Sequence, residues 1–173
     1  MSSRVVIKLG GGLITDKGSM KKFDQDSVER VADSISSIVG MGVPVVIVHG
    51  AGSFGHLLAK EWSISEGVDQ KIAKEQRMIV EEIRSDMREL NGLVIDRLSD
   101  SGLESEGLPP SEWAIGTGSG FKGDITNFER VVEAPIPITF GDVVDTNDQQ
   151  EFGILSGDDL MVRLSRELEV SHC

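Results

Sequence analysis

The sequence has a single cysteine, Cys173, no long apolar run and little positive charge: 17 Lys+Arg stand against 29 Asp+Glu, a net charge of −12 over 173 residues. One terminal cysteine excludes a disulfide framework and a Cys-based metal site, and the sequence offers no other metal-ligand pattern. The acidity excludes the basic patch or stripe of a nucleic-acid footprint and reads as a solvated, solubilising surface. The longest apolar stretch, Val43 to Val48, falls far short of the ~20 residues of a membrane span. Val5-Val6-Ile7 is broken at once by Lys8, so no signal peptide is expected. The expectation is a cytoplasmic globular protein that binds neither nucleic acid nor membrane. Its 39% hydrophobic residues suffice for one core, so residues 1–173 are read as a single domain.

The apolar pattern alternates between two periods. Arg4 to Leu9 reads as a short buried strand stopped by Gly10, Gly11 and Gly12. Val28, Val31, Ala32, Ile35 and Ile38 recur at helical spacing and predict a helix over 27–39, started by Asp26 with Glu29 and stopped by Gly40. Val43 to Val48 is continuous enough for a strand covered on both faces, as parallel strands are. A long helix is expected from Gln70 to Leu98, with Ile72, Gln76, Ile79, Ile83, Met87, Leu90, Val94 and Leu98 inward. Ser99 to Lys122 reads as loop, because it is rich in Gly, Ser and Pro and carries Pro109-Pro110. Strands are expected at Ile136–Phe140, Val143-Val144 and Phe152–Leu155, and a last helix over 158–168. Val170 to Cys173 reads as the approach to a strand that does not arrive. There is no internal repeat. Strands alternating with helices predict the α/β class, with a mainly parallel central sheet sandwiched by helices.

Three segments carry candidate chemistry. Lys8-Leu9-Gly10-Gly11-Gly12 puts a cation at a strand's carboxyl end beside glycines whose N–H groups can form an anion nest. It is not the P-loop of nucleotide hydrolases, since no Gly-Lys-Ser/Thr follows, and a plain glycine turn with a solvated lysine is the alternative. His49-Gly50-Ala51-Gly52-Ser53-Phe54-Gly55-His56 satisfies G-x-G-x-x-G after a strand. The dinucleotide reading needs an acidic residue ending the next strand, and Asp69 and Glu75 instead open a helical pattern. A second phosphate loop with His56 as a hydrogen-bond donor to a phosphoryl oxygen is the stronger reading, with His49 a structural strand-end residue. In Ser156-Gly157-Asp158-Asp159 the serine can cap the last helix and the carboxylates suit its N-terminus, or one carboxylate orients an active-site lysine. Lys17, after Thr15-Asp16, is either a solvated loop lysine or a further charge for the site.

Together these pieces, with Ile14-Thr15-Asp16-Lys17 and Gly141-Asp142-Val143 in the same order, resemble the amino acid kinase superfamily and, within it, the isopentenyl phosphate kinases. The resemblance spans nearly the whole chain, and Ser53 to His56 is its most specific part. It implies ATP-dependent phosphorylation of isopentenyl phosphate, usually with Mg²⁺. Lys8, Lys17, His56 and Asp158 would be catalytic, with Lys8, Gly10, Gly11, Gly12 and Gly52 on ATP and Gly50, Ala51, Gly55, His56 and Gly157 on the substrate. Gly12 and Ala51 stand where many relatives carry Ser and Gly. The resemblance also implies a homodimer, and residues 1–173 as the N-terminal, phosphoryl-acceptor portion of that fold, truncated before the adenine and ribose pocket. Weak ATP binding and poor turnover of the isolated chain are the corresponding expectation. A fosfomycin-type phosphonate kinase, a catalytically incomplete dimerisation module and, on Gly50 to Gly55 alone, a dinucleotide oxidoreductase are the alternatives.

Overall fold

A computed structural model describes residues 4–16, 18–168 and 170–172. β1 (Arg4–Leu9) leads through α1 (Gly11–Ile14) to α2 (Gln25–Gly40). β2 (Val45–His49) is followed by α3 (Gly52–Glu61) and α4 (Ala73–Asp100). Then come β3 (Ser105–Gly107), α5 (Pro110–Trp113), β4 (Ala114–Ile115), β5 (Lys122–Gly123), β6 (Ile136–Phe140), β7 (Asp142–Asp145), β8 (Phe152–Leu155), α6 (Gly157–Glu167) and β9 (Val170–His172). Five strands in the order β3-β6-β2-β1-β9 pair in parallel throughout. A second, mixed sheet has the order β5-β4-β7-β8. No helix among the described residues is long and apolar enough to cross a membrane.

The central strands β2 and β6 are buried along their whole length, which is why they are almost continuously apolar, as parallel strands covered on both faces are. Leu9, Val45 and Ile47 face a core built with Val28, Ala32 and Ile35 of α2 and Ile83, Met87 and Leu90 of α4. The alternate residues Val6, Val46 and Val48 face the other way, onto Leu160 and Leu164 of α6 and onto Phe121 and Phe128. The period of 2 along β1 and β2 thus assigns each residue to one of two cores.

The expected α/β sandwich is present, with local corrections. α2 is capped by Asp24, whose side chain accepts the Ser27 N–H at 3.0 Å, not by Asp26, which lies inside the first turn. Residues 52–56, read as part of a glycine loop, open a helix that runs to Glu61; its buried residues Phe54, Gly55 and Ala59 are too few to show a period. The 99–122 stretch contains short elements, and Pro110 occupies the first turn of α5, where a missing N–H costs nothing. α4 begins at Ala73, leaving Ile72 outside and partly exposed. Val170 to His172 complete a strand, β9, on the outer edge of β1; Cys173 lies outside the described residues.

Candidate active site

β1 and β2 pair in register up to Leu9 and His49, so the two glycine turns that follow lie side by side at the carboxyl ends of parallel strands, the place where open α/β sheets bind ligands. They touch through backbone alone. A Cβ at Gly50 would stand 2.8 Å from the Gly11 N, and one at Gly11 would collide with the Gly52 N. Gly52 also has φ +50, and any side chain there would run into Thr15. Thr15 ties the turns together: its hydroxyl donates to the Gly11 carbonyl at 2.7 Å and accepts the Ser53 N–H at 3.0 Å. The N–H groups of Gly11, Gly12, Ala51 and Gly52 meet no backbone acceptor among the described residues. Uncommitted N–H groups converging at helix starts form an anion site.

Above these turns lies a cleft of about 610 Å³. Lys8, the penultimate residue of β1, reaches across to α6, its Nζ 2.5 Å from Asp158 Oδ1. Asp159 is consumed by a capping box: the Ser156 hydroxyl accepts the Asp159 N–H at 3.1 Å, and the Asp159 carboxylate accepts from Ser156. One acid therefore stabilises the helix start and the other faces the lysine. Gly157 lies beside the Lys8 stem and the His49 carbonyl.

His56 stands exposed on α3 and lines the cleft. An apolar wall of the cleft is formed by Ile83 and Met87 of α4, Val143 of β7 and Ile154 of β8. Gly55 brings α3 onto that wall: a Cβ there would stand 3.1 Å from Met87 Sδ and 3.6 Å from Ile83. Asp142 completes the lining, and it is nearly buried. Burial pushes its carboxyl up to about 6, against the pull of the Val143 N–H, Ser111 and the Arg84 charge.

Of the site residues expected from sequence, Lys8, Gly11, Gly12, Gly50, Ala51, Gly52, Gly55, His56, Gly157 and Asp158 all line this cleft. Gly10 does not; it caps α1 through its carbonyl, which accepts the Leu13 N–H at 2.8 Å. Lys17 lies outside the described residues. The G-x-G-x-x-G turn does open a helix after a strand, but α3 leads to α4 and not to a strand. Asp69 and Glu75 therefore have no strand end from which to hold a ribose, which removes the dinucleotide reading.

The model of the amino acid kinase family matches residues 3–173. The chain belongs to the amino acid kinase family. It is 32% identical over 169 residues to the isopentenyl phosphate kinase of Methanothermobacter thermautotrophicus, covering 95% of this chain and 63% of that protein. It is 28% identical over 172 residues to that of Methanocaldococcus jannaschii, covering 95% and 65%. Among solved structures, an X-ray structure of isopentenyl phosphate kinase matches with a TM-score of 0.87 at 30% identity, over 97% of this chain and 69% of that one. The chain thus spans just under two thirds of the length of these two kinases.

Within this amino acid kinase fold, several residues that shape the site are silent in the sequence. Lys21, at φ +50, sends its Nζ to within 2.6 Å of Asp86 Oδ1 on α4, clasping the loop that carries Gly18, Ser19 and Met20 along the cleft. Asp86 raises the Lys21 pKa above its usual value, the hydrogen bond being the main cause. Arg84 donates to the Val143 carbonyl at 2.9 Å and to Asp145 at 2.8 Å, holding the β7–β8 hairpin on α4.

Proposed function

We propose that this chain forms the phosphoryl-acceptor portion of an ATP-dependent kinase that converts isopentenyl phosphate to isopentenyl diphosphate. One observation carries the reading. A single cleft joins an anion-binding end, made of Lys8, the two glycine turns and His56, to an apolar wall of Ile83, Met87, Val143 and Ile154. Such a site suits a short hydrocarbon tail with a phosphate at one end.

Phosphoryl transfer demands positioning and charge neutralisation more than covalent chemistry. The acceptor's phosphate oxygen is already anionic, so it attacks the γ-phosphorus without a general base, and ADP leaves as the new P–O bond forms. In this reading the N–H groups of Gly11, Gly12 and Gly52 cradle the donor phosphates. Lys8 neutralises the charge spread over the transferring group. Asp158 orients Lys8, Lys17 adds a second positive charge, and His56 donates to the acceptor phosphate. Mg²⁺ travelling with a nucleotide keeps mostly phosphate and water ligands. That suits a chain in which no three His, Cys, Asp or Glu side chains among the described residues converge on one point. The likeness to isopentenyl phosphate kinases extends the reading to a cytoplasmic homodimer acting on a small molecule.

The test is isothermal titration with isopentenyl phosphate, an alkyl phosphonate of similar length and a matched carboxylate, on the wild type and His56→Ala. The phosphate is expected to bind tightest, and His56→Ala to weaken it by about tenfold or more, the loss of a hydrogen bond to a charged group. Equal binding of the carboxylate, or an unchanged affinity in His56→Ala, would overturn the assignment; preference for the phosphonate would point to the fosfomycin-type alternative.

A further inference from the structure

His49 ends β2 with its ring fully buried. The ring stacks on Phe140, its partner across the strand pair, at 4.9 Å between centroids and 23° between planes. Nδ1 lies 3.0 Å from the Gly50 carbonyl oxygen, and Nε2 lies 3.1 Å from the Asn91 side-chain oxygen. The groups that act on the ring are this carbonyl and this amide, neither of them charged, and burial lowers its pKa from 6.5. The imidazole is therefore neutral and carries one proton.

One proton cannot serve two oxygens. An asparagine amide, however, has a donor end and an acceptor end of the same shape. With its NH₂ turned to Nε2, both contacts become hydrogen bonds, provided the ring proton sits on Nδ1. The Gly50 carbonyl is then gripped from the core side. Because a trans peptide is planar, its C=O and the following N–H point in opposite directions, so holding the Gly50 oxygen inward turns the Ala51 N–H outward. That N–H meets no backbone acceptor among the described residues, and Gly50 and Ala51 both line the cleft.

We propose that Asn91 holds His49 as its Nδ1–H tautomer and that His49 is a positioning residue. By fixing the Gly50–Ala51 peptide it aims the Ala51 N–H at the phosphate of the bound substrate. The proposal rests on the phosphate-binding reading of this cleft. It gives His49 a part distinct from that of His56: one sets a backbone donor from beneath, and the other faces the ligand itself.

Long-range ¹H–¹⁵N correlation spectra of the full chain assign the ring directly. The Nδ1–H form is expected throughout pH 6 to 8, and an Nε2–H form or an imidazolium overturns the proposal. His49→Phe keeps the stack on Phe140 but loses the donor, whereas His49→Asn places an amide N–H near the Nδ1 position. Isopentenyl phosphate should bind about tenfold more weakly to His49→Phe, and His49→Asn should restore most of that loss, as one hydrogen bond predicts. The Ala51 amide resonance should move with ligand in the wild type and stay still in His49→Phe. Wild-type affinity in His49→Phe overturns the proposal. If His49→Phe does not fold, Asn91→Ser frees Nε2 and should give a tautomer mixture with weaker binding; a pure Nδ1–H form with unchanged binding there overturns it equally. A wild type that binds no alkyl phosphate refutes the functional reading, while the ring spectrum still decides the hold on Gly50.

Discussion

Two lysine–aspartate pairs flank the cleft, and they are built oppositely. Lys8 and Asp158 meet with side chains 36% and 80% exposed, whereas Lys21 meets an Asp86 that is only 7% exposed. An exposed pair contributes little to stability because water and salt compete for both partners. Lys8 can therefore exchange Asp158 for an incoming phosphate at small cost. Asp86 has no such freedom: its Oδ2 is buried without a partner, so Lys21 is what makes its charge tolerable. On the proposed function, the difference separates a lysine held ready for a ligand from one committed to holding a loop.

The most demanding test of that contrast is Lys8→Met. Under the proposed kinase reading, phosphoryl transfer should fall about 10³-fold, as when a preorganised charge donor is removed from a transition state. The melting temperature should hardly move. A variant that keeps activity within tenfold but melts several degrees lower would invert the assignment of the two pairs.

A third carboxylate sharpens the comparison, because Asp142 is as buried as Asp86 yet has no lysine. Its pKa is raised from 3.8 to about 6, burial being the first cause. The folded protein then keeps a proton that the unfolded chain releases near 3.8, so ionising Asp142 costs stability. As pH rises through this window to about 6, the wild type should lose stability relative to Asp142→Asn, by up to about 3 kcal/mol, and the difference should then stay level. Urea unfolding of both proteins at pH 4, 5, 6 and 7 reads it. A constant difference across that range would mean that the Asp142 carboxyl ionises as freely in the fold as in the unfolded chain.

Lys21→Met comes next, with an expected loss of about 2 kcal/mol from leaving the Asp86 charge buried and unpaired. Asp86→Asn should cost less, since the lysine left behind is 38% exposed and can turn to water. The double variant should recover part of the sum, the mark of direct coupling. Lys21 has a raised pKa, so its contribution is fully present below 10.5 and is lost as pH rises through the higher folded value. Additive losses, or no loss in Lys21→Met, would demote the clasp to a surface contact.

Much of this arrangement was legible in the sequence, and the rest was not for physical reasons. β1, β2 and β6 announce themselves because both faces of the parallel sheet are covered, and α4 because one stripe of it is. The glycine turns and Lys8 are legible because close backbone approach needs glycine and a strand end needs a stop. Asp86 and Asn91, by contrast, sit in an acidic, polar helix among Glu81, Glu82 and Glu89. Nothing local distinguishes the acid that meets Lys21, 65 residues away, or the amide that meets His49, 42 residues away. α3 hid because Gly52 and Gly55, which the cleft and the α4 contact require, are poor helix formers.

The smallest effect concerns the adjacent acids at the start of α6, of which the family resemblance, and not the local pattern, singled out Asp158. Asp159 completes the capping box with Ser156, whereas Asp158 faces Lys8. Ser156→Ala and Asp159→Ala should each destabilise the fold by about 1 kcal/mol, the usual weight of an N-cap, and leave Lys8 where it is. Asp158→Ala should barely change the unfolding curve, because an exposed pair is worth little, yet it should lower activity by releasing Lys8 from its orientation. Chemical denaturation and turnover measured on the same three variants separate the roles. If Asp158→Ala unfolds early and Asp159→Ala slows the reaction, the two neighbours have exchanged functions and the exposed pair belongs with the buried one as a structural clasp.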